Sequence, residues 1–255
     1  MIKVGVFGAG GRMGRTVCGA VAGADGMELV AAVDPFHKGE DVEGVTIAET
    51  ADALAQAGAE VAVDFTLIDA ARQNVRWCAE HGVHAVVGTT GFGDAELTEL
   101  ATLFDTSTSN AVIAPNFAIG AVLMMRFAEL AAPYFETAEV IEFHHNQKID
   151  APSGTAMLTA QRIAAASKDW EQDPTTKHTA AGARGGTVDG IPVHAVRMHG
   201  MVASQEALFG TTGQILTLRH DTYDRSSFMP GVLLAVRRVA DVPGLTIGLD
   251  PLLGF

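Results

Sequence analysis

The chain has 255 residues, with 30 acidic against 17 Lys and Arg side chains and a formal net charge of −13. That balance excludes non-specific nucleic-acid binding, which needs a basic face. A hydrophobic content of 48% with 18% charged residues excludes a disordered chain and suits one large domain or two modest ones.

No secretory signal is visible, because Lys3 is followed by a short Val-Gly-Val-Phe run and then glycines. The longest apolar run, near Ala121 to Met125, is stopped by Arg126 and Glu129, so no membrane span is expected. Cys18 and Cys78 fall in segments that read as helices and suit a reduced cytosol; a cytoplasmic protein is expected.

In chain order, Ile2 to Phe7 reads as a β-branched strand. Gly8-Ala9-Gly10-Gly11-Arg12-Met13-Gly14 follows, then a helical pattern from Arg15 to Val21. Strand, glycine turn and helix is the context in which backbone amides approach a pyrophosphate. The spacing departs from the strict fingerprint because Met13 stands where its third glycine belongs. Glu28 to Val33 is a second strand, ending at Asp34, the position for an acid on a ribose 2′-hydroxyl. A carboxylate there favours NADH, a preference that His37 and Lys38 soften.

Val61 to Thr66 is a third strand, Asp69 to Glu80 a helix ended by Gly82, and His84 to Val87 a fourth strand leaving through Gly88-Thr89-Thr90-Gly91. Ala111 to Ala114 is a fifth strand that exits through Pro115-Asn116-Phe117. Ligands gather beyond the carboxyl ends of buried parallel strands, which makes both exits candidates for cofactor contact. Ile119 to Phe135 reads as a long helix with Met124, Met125 and Phe127 in the core.

Ala138 to Phe143 is a strand that delivers His144 and His145, and Thr155 to Ala166 a helix. The polar stretch from Ser167 to Gly190 reads as a long loop, followed by strand-like runs at Val193 to Met198, Gln205 to Phe209 and Gln214 to His220. Consecutive strands of this kind predict an antiparallel or mixed sheet in a second α+β domain. His194, His199 and His220 read as strand or loop polar residues, with no zinc-like spacing and no metal expected. Gly231 to Val239 is helical and Leu245 to Leu249 a strand, so the tail is expected to return to the first domain.

The densest chemistry lies at Glu142-Phe143-His144-His145-Asn146-Gln147-Lys148-Ile149-Asp150-Ala151-Pro152-Ser153-Gly154-Thr155-Ala156. His144, His145 and Lys148 are cations or potential cations, and a helix start with free amides follows. Cations on one side and bare amides on the other make a receptor for a carboxylate.

His-His-x-x-Lys-x-Asp-Ala-Pro-Ser-Gly-Thr-Ala resembles the substrate signature of the 4-hydroxy-tetrahydrodipicolinate (dihydrodipicolinate) reductases, and Gly-Thr-Thr-Gly and Ala-Pro-Asn-Phe resemble that family's cofactor loops. The resemblance implies an α/β chain: a Rossmann-like dinucleotide-binding domain over 1–117 and 226–255, and a substrate-binding and oligomerisation domain over 118–225. It implies NADH or NADPH as cofactor, held by Gly8, Ala9, Gly10, Gly11, Arg12, Met13, Asp34, Gly88, Thr89, Thr90, Ala114, Pro115, Asn116 and Phe117. It implies His144 and Lys148 as catalytic residues and His145, Gly154 and Thr155 as substrate-binding residues.

The substrate would be a small cyclic dicarboxylate, reduced on the diaminopimelate route to lysine by a homotetramer, with hinge closure joining the domains. Arg225 and Phe228, at the second domain crossing, are further candidates for ligand contact. The competing expectation is another nicotinamide oxidoreductase acting on a small carboxylate such as an amino-acid semialdehyde; several of those use a cysteine, and neither Cys18 nor Cys78 lies in a catalytic-looking loop.

Overall fold

The computed structural model describes residues Met1 to Phe255 and divides them into two compact units, Met1–Ile119 with Arg225–Phe255, and Gly120–Asp224. The chain runs β1 (Ile2–Phe7), α1 (Arg12–Ala22), β2 (Met27–Val33), β3 (Asp41–Val42), β4 (Val45–Ala48), α2 (Asp52–Gln56), β5 (Val61–Asp64), α3 (Ile68–His81), β6 (His84–Val87), α4 (Asp94–Thr106) and β7 (Ala111–Ile113). It continues through α5 (Ile119–Ala131), β8 (Thr137–His144), α6 (Gly154–Ala166), β9 (Gly186–Val188), β10 (Ile191–Arg197), β11 (Ala203–Thr211) and β12 (Gln214–Thr222). Last come α7 (Met229–Arg238), β13 (Leu245–Ile247) and α8 (Asp250–Leu253).

The first unit is built on an eight-stranded sheet in the order β13-β7-β6-β5-β1-β2-β4-β3. All its pairings are parallel except the β3–β4 hairpin. Strands buried on both faces explain the apolar runs: Val4, Val6, Phe7, Val61 to Val63 and Ala85 to Val87 are at most 2% exposed. From β1 the chain proceeds outward to β2 and then returns to β5 on the other side. That reversal is the switch point at which a crevice opens beyond the strand ends.

The second unit is a five-stranded mixed sheet in the order β12-β11-β8-β10-β9, with β10 parallel to β8 and the other pairings antiparallel. The link from β8 to the parallel β10 includes α6, as a parallel crossover requires. Helix α6 buries Ala156, Ala160 and Ile163 in a core with Val140, Val193 and Phe209.

Several expectations need correction. The helix from Ile119 ends at Ala131 and tightens into a 3₁₀ turn over Ala132–Tyr134, because Pro133 cannot continue an α-helical ladder. Phe127 is not in the core but 47% exposed, whereas Met124 and Met125 are buried. It lies off the stripe of Ala121, Val122, Met124, Met125 and Ala128 that faces inward. The third strand ends at Asp64, where the carboxylate turns back to accept from the Thr66 amide at 2.6 Å. The stretch from Ser167 to Gly190 is not all loop, since Gly186–Val188 pairs with β10. The last strand stops at Ile247 and a short helix, Asp250–Leu253, follows.

Candidate active site

In the first unit the glycine turn is set by crowding. Gly8 takes φ +67°, a conformation that costs a residue with a Cβ. A Cβ on Gly14 would stand 2.0 Å from the Gly8 carbonyl oxygen. Gly14 therefore does the close helix–strand packing that the sequence left without a glycine at Met13. The Ala9, Gly10 and Gly11 amides are used internally, by Val33 O, Asp34 Oδ2 and Gly8 O. Helix α1 starts with no capping side chain at Gly11, so the first helical amides, at Arg12 and Met13, have no protein acceptor. Unpaired amides at a helix start fit a phosphate group.

Asp34 is 6% exposed and accepts from the Gly10 amide at 3.1 Å and the Phe36 amide at 2.9 Å, and His37 Nδ1 lies 3.2 Å away. Burial pushes its proton affinity up, but His37 and the two amides outweigh this and leave the carboxyl below its ordinary value. It is an ionised acceptor at neutral pH. Lys38 is engaged by Glu49 at 2.5 Å, and Arg15 is paired with Glu40.

The strand exits converge at the same end of the sheet. Gly88 leaves no room for a side chain, since a Cβ would stand 2.0 Å from the Phe65 ring. Thr89 gives its hydroxyl to Thr66 O at 2.7 Å, and Thr90 is exposed. Phe65, Thr66, Gly88, Thr89 and Thr90 line one shallow pocket. Ala114 and Phe117 are buried, with the Phe117 ring 5.6 Å from that of Phe65; Pro115 is exposed, and Asn116 accepts from the Ala118 amide. Phe117 thus braces the loop through packing. The sequence reading missed Phe65 and Thr66, whose place one strand over from Gly88 only the sheet order reveals. Arg225 is exposed and Phe228 partly buried on the 3₁₀ turn before α7. The crevice-end location, the open amides and the ionised Asp34 fit a nicotinamide dinucleotide.

In the second unit the signature folds around a residue the sequence reading passed over. Glu142 is 0% exposed near the end of β8. Its Oε2 lies 2.5 Å from His144 Nδ1, and its Oε1 accepts the Ser153 amide at 3.0 Å. Arg197, from β10, grips both oxygens at 2.7 Å each and also donates to the Asp150 carbonyl. His144 is partly buried; desolvation pulls its proton affinity down, Glu142 pulls it up, and Lys148 and Arg197 push it down again, leaving it below the ordinary imidazole value. With Nδ1 on Glu142, Nε2 is the ring nitrogen available to a ligand.

After the cis Ala151–Pro152 bond, Ser153 caps α6 by accepting from the Ala156 amide at 3.2 Å. The Gly154 and Thr155 amides have no protein acceptor, and nothing lies within 4 Å of where a Gly154 Cβ would be. Lys148 Nζ is held by both oxygens of Asp150, at 2.8 and 2.9 Å. His145 is exposed. The structure thus joins His144 to the Ser153–Gly154 helix start through one carboxylate.

Residues 2–117 match the family described as "Dihydrodipicolinate reductase, N-terminus", and residues 120–253 match "Dihydrodipicolinate reductase, C-terminus". The chain belongs to the dihydrodipicolinate reductase family. It is 54% identical over 256 residues to 4-hydroxy-tetrahydrodipicolinate reductase of Nocardia farcinica, covering 99% of this chain and 98% of the relative. It is 54% identical over 260 residues to the enzyme of that name from Thermobifida fusca, covering 100% of both. A solved dihydrodipicolinate reductase from Paenisporosarcina with dipicolinate bound superposes with a TM-score of 0.90 at 41% identity, over 98% of this chain and 99% of that one. An aspartate semialdehyde dehydrogenase from Vibrio cholerae shares the fold alone, at 12% identity and a TM-score of 0.55 over 93% of this chain and 97% of that one. Members of the dihydrodipicolinate reductase family are oxidoreductases that use NADH or NADPH.

Proposed function

We propose that this chain reduces 4-hydroxy-tetrahydrodipicolinate to tetrahydrodipicolinate on the diaminopimelate route to lysine, using NADH or NADPH. The observation that carries the reading is the Glu142 carboxylate, which ties His144 to a helix start whose Gly154 and Thr155 amides are open.

The 4-hydroxyl leaves as water to give the conjugated imine, and the reduced nicotinamide, when bound, would supply the hydride that goes to C4 of that ring. The protein's part is to hold the ring and to move the accompanying proton. The Gly154 and Thr155 amides would take one carboxylate, and His145 and Lys148 would face the rest of the anion. Lys148 would leave Asp150 to do so, a small cost for a solvent-facing ion pair, typically about 0–1 kcal/mol. A doubly negative ligand raises the proton affinity of His144 against the desolvation that depresses it, so binding itself arms the acid. His144 Nε2 would then give its proton to the ring carbon beside C4. In the first unit, the Arg12 and Met13 amides would hold the pyrophosphate and Asp34 the ribose, with Gly8 to Gly11, Gly88 to Thr90 and Ala114 to Phe117 shaping the pocket by backbone.

The version of the semialdehyde alternative that uses a nucleophilic cysteine is disfavoured, because both cysteines are buried, at 0 and 1% exposure. No helix is long and apolar enough to cross a membrane. A cytoplasmic homotetramer belongs to the same proposal; exposed Met198, Val202 and Ile215 on the second unit support burial against further copies. Sedimentation at micromolar concentration tests the assembly.

The activity is tested by following NADH and NADPH oxidation with and without freshly generated substrate. Substrate-dependent oxidation is expected; its absence with both cofactors overturns the assignment. His144→Gln should lower turnover by roughly 10²–10⁴-fold with cofactor affinity unchanged. Lys148→Ala should weaken substrate more than cofactor, whereas equal loss of both would signal misfolding.

A further inference from the structure

Glu142 has so far only linked His144 to the helix start, and Arg197 has no part in the scheme above, yet each makes four hydrogen bonds. Glu142 receives four contacts: Arg197 Nη1 and Nη2 at 2.7 Å, the Ser153 amide at 3.0 Å and His144 Nδ1 at 2.5 Å. Arg197 adds the Asp150 carbonyl at 2.7 Å and the Val196 carbonyl at 2.9 Å. Register brings them together, because Arg197 pairs with His144 across the parallel β8–β10 ladder. On the other side, the neutral Gln205 of β11 lies opposite Glu142 and donates its amide nitrogen to the Thr159 hydroxyl, so it brings no charge to the carboxylate.

Stability alone does not account for this arrangement. Removing two charges from water costs several kcal/mol per ion, and an apolar pair of similar size serves a core as well or better. What an apolar pair cannot do is fix a histidine. A carboxylate on Nδ1 holds the N–H there, sets the ring plane and leaves Nε2 as the nitrogen that carries or lacks the working proton. The bidentate guanidinium keeps that carboxylate ionised, so the Nδ1 proton stays on the ring.

We propose that Glu142, backed by Arg197, is the positioning residue of this site: it locks His144 with Nε2 outward and holds the Gly154–Thr155 amides in register with that nitrogen. The proposal rests on the reading of His144 as the acid. After Nε2 has given up its proton, His144 is left as the neutral Nδ1–H tautomer and Glu142 is still a carboxylate; no proton needs to reach Glu142. The charged groups around the imidazole act with opposite signs. Glu142 raises its proton affinity, Lys148 and Arg197 lower it, and Asp150 is engaged by Lys148.

The test is Glu142→Gln in the full chain, read by ¹⁵N NMR titration of His144 in the free protein and by the pH profile of turnover. Loss of the carboxylate should move the His144 midpoint to lower pH, spread the neutral ring over both tautomers and cut kcat by about 10²-fold or more. The alkaline fall of the profile should move the same way, since less of the acid form survives at a given pH. The KM for NADH should not change, because Glu142 belongs to the other unit.

An unmoved midpoint with one fixed tautomer overturns the proposal, and so does wild-type kcat. Should the single variant not fold, the double variant Glu142→Gln/Arg197→Met, which leaves neither charge of the pair, is read for the tautomer alone; a ring still fixed as Nδ1–H overturns the proposal equally. The NMR readout needs no substrate, so a wild-type protein without the expected reductase activity would sink the functional reading while leaving this one to stand or fall by the titration.

Discussion

Replacing Gly14 by Ala tests the glycine turn at its tightest point. The new Cβ would stand 2.0 Å from Gly8 O, 2.6 Å from Gly8 C and 2.8 Å from Ala9 Cα. All three are backbone atoms of a turn already braced by the Ala9 and Gly10 hydrogen bonds to Val33 O and Asp34, so the overlap must be relieved by moving α1 or the turn. Overpacking against such a neighbour costs about 3 kcal/mol, the upper end of the usual range. Gly→Ala inside a helix returns about 1 kcal/mol. The balance, about 2 kcal/mol, corresponds to a fall in Tm of roughly 4–8 °C for a chain of this size. Displacing the Arg12 and Met13 amides should also weaken NADH binding.

The control lies in the same helix. A Cβ on Gly19 would meet nothing nearer than Glu43 Oε1 at 3.4 Å, so Gly19→Ala should stabilise by about 1 kcal/mol and leave NADH affinity alone. Differential scanning fluorimetry and NADH fluorescence titration read both variants. If Gly14→Ala melts and binds like the wild type, the close approach of helix to turn does not carry the function assigned to it.

Gly154→Ala should leave Tm within about 1 °C, because its Cβ enters open space, yet raise the KM for substrate and weaken binding of dipicolinate by calorimetry. An unchanged KM would place the substrate carboxylate elsewhere. Native protein should resist thiol reagents until it unfolds: burial pushes the Cys18 thiol up to about 12 and raises Cys78 as well. Mass spectrometry after iodoacetamide treatment checks this, and rapid native labelling would contradict the packing. Burial raises Glu142 while Arg197 and His144 outweigh it, so its carboxyl sits below the ordinary value. Its contribution to stability is present above the unfolded value of about 4.3 and lost as pH falls through the native one. The Tm advantage of wild type over Glu142→Gln should therefore shrink in melts below about pH 4.

Much of the first unit was legible because its signals are local. A β-branched run, a glycine turn and a helix succeed each other within Ile2 to Ala22, and the glycine that ends α3, Gly82, takes φ +68° where the sequence placed the stop. Two hairpins were missed although their turns carry a mark. Glu43-Gly44 and Asp189-Gly190 take positive φ at both positions, the pattern of a two-residue hairpin turn. Their strands, Asp41–Val42 and Gly186–Val188, are too short for alternation to show. Phe127 misled for another reason: a nearly all-apolar helix does not declare which face is covered.

By itself the sequence determined the chemistry on offer: a glycine turn before a helix, an acid after the second strand, and a contiguous run of His144, His145, Lys148, Gly154 and Thr155. Those properties are set by neighbours along the chain, within the reach of a turn or a cap. The tertiary structure decided what the run is fastened to. Arg197 lies 55 residues beyond Glu142 and reaches it only because β10 pairs in parallel with β8 after α6. No local pattern records that partnership, since strand register is fixed by the burial of whole faces and not by the residues that happen to meet there.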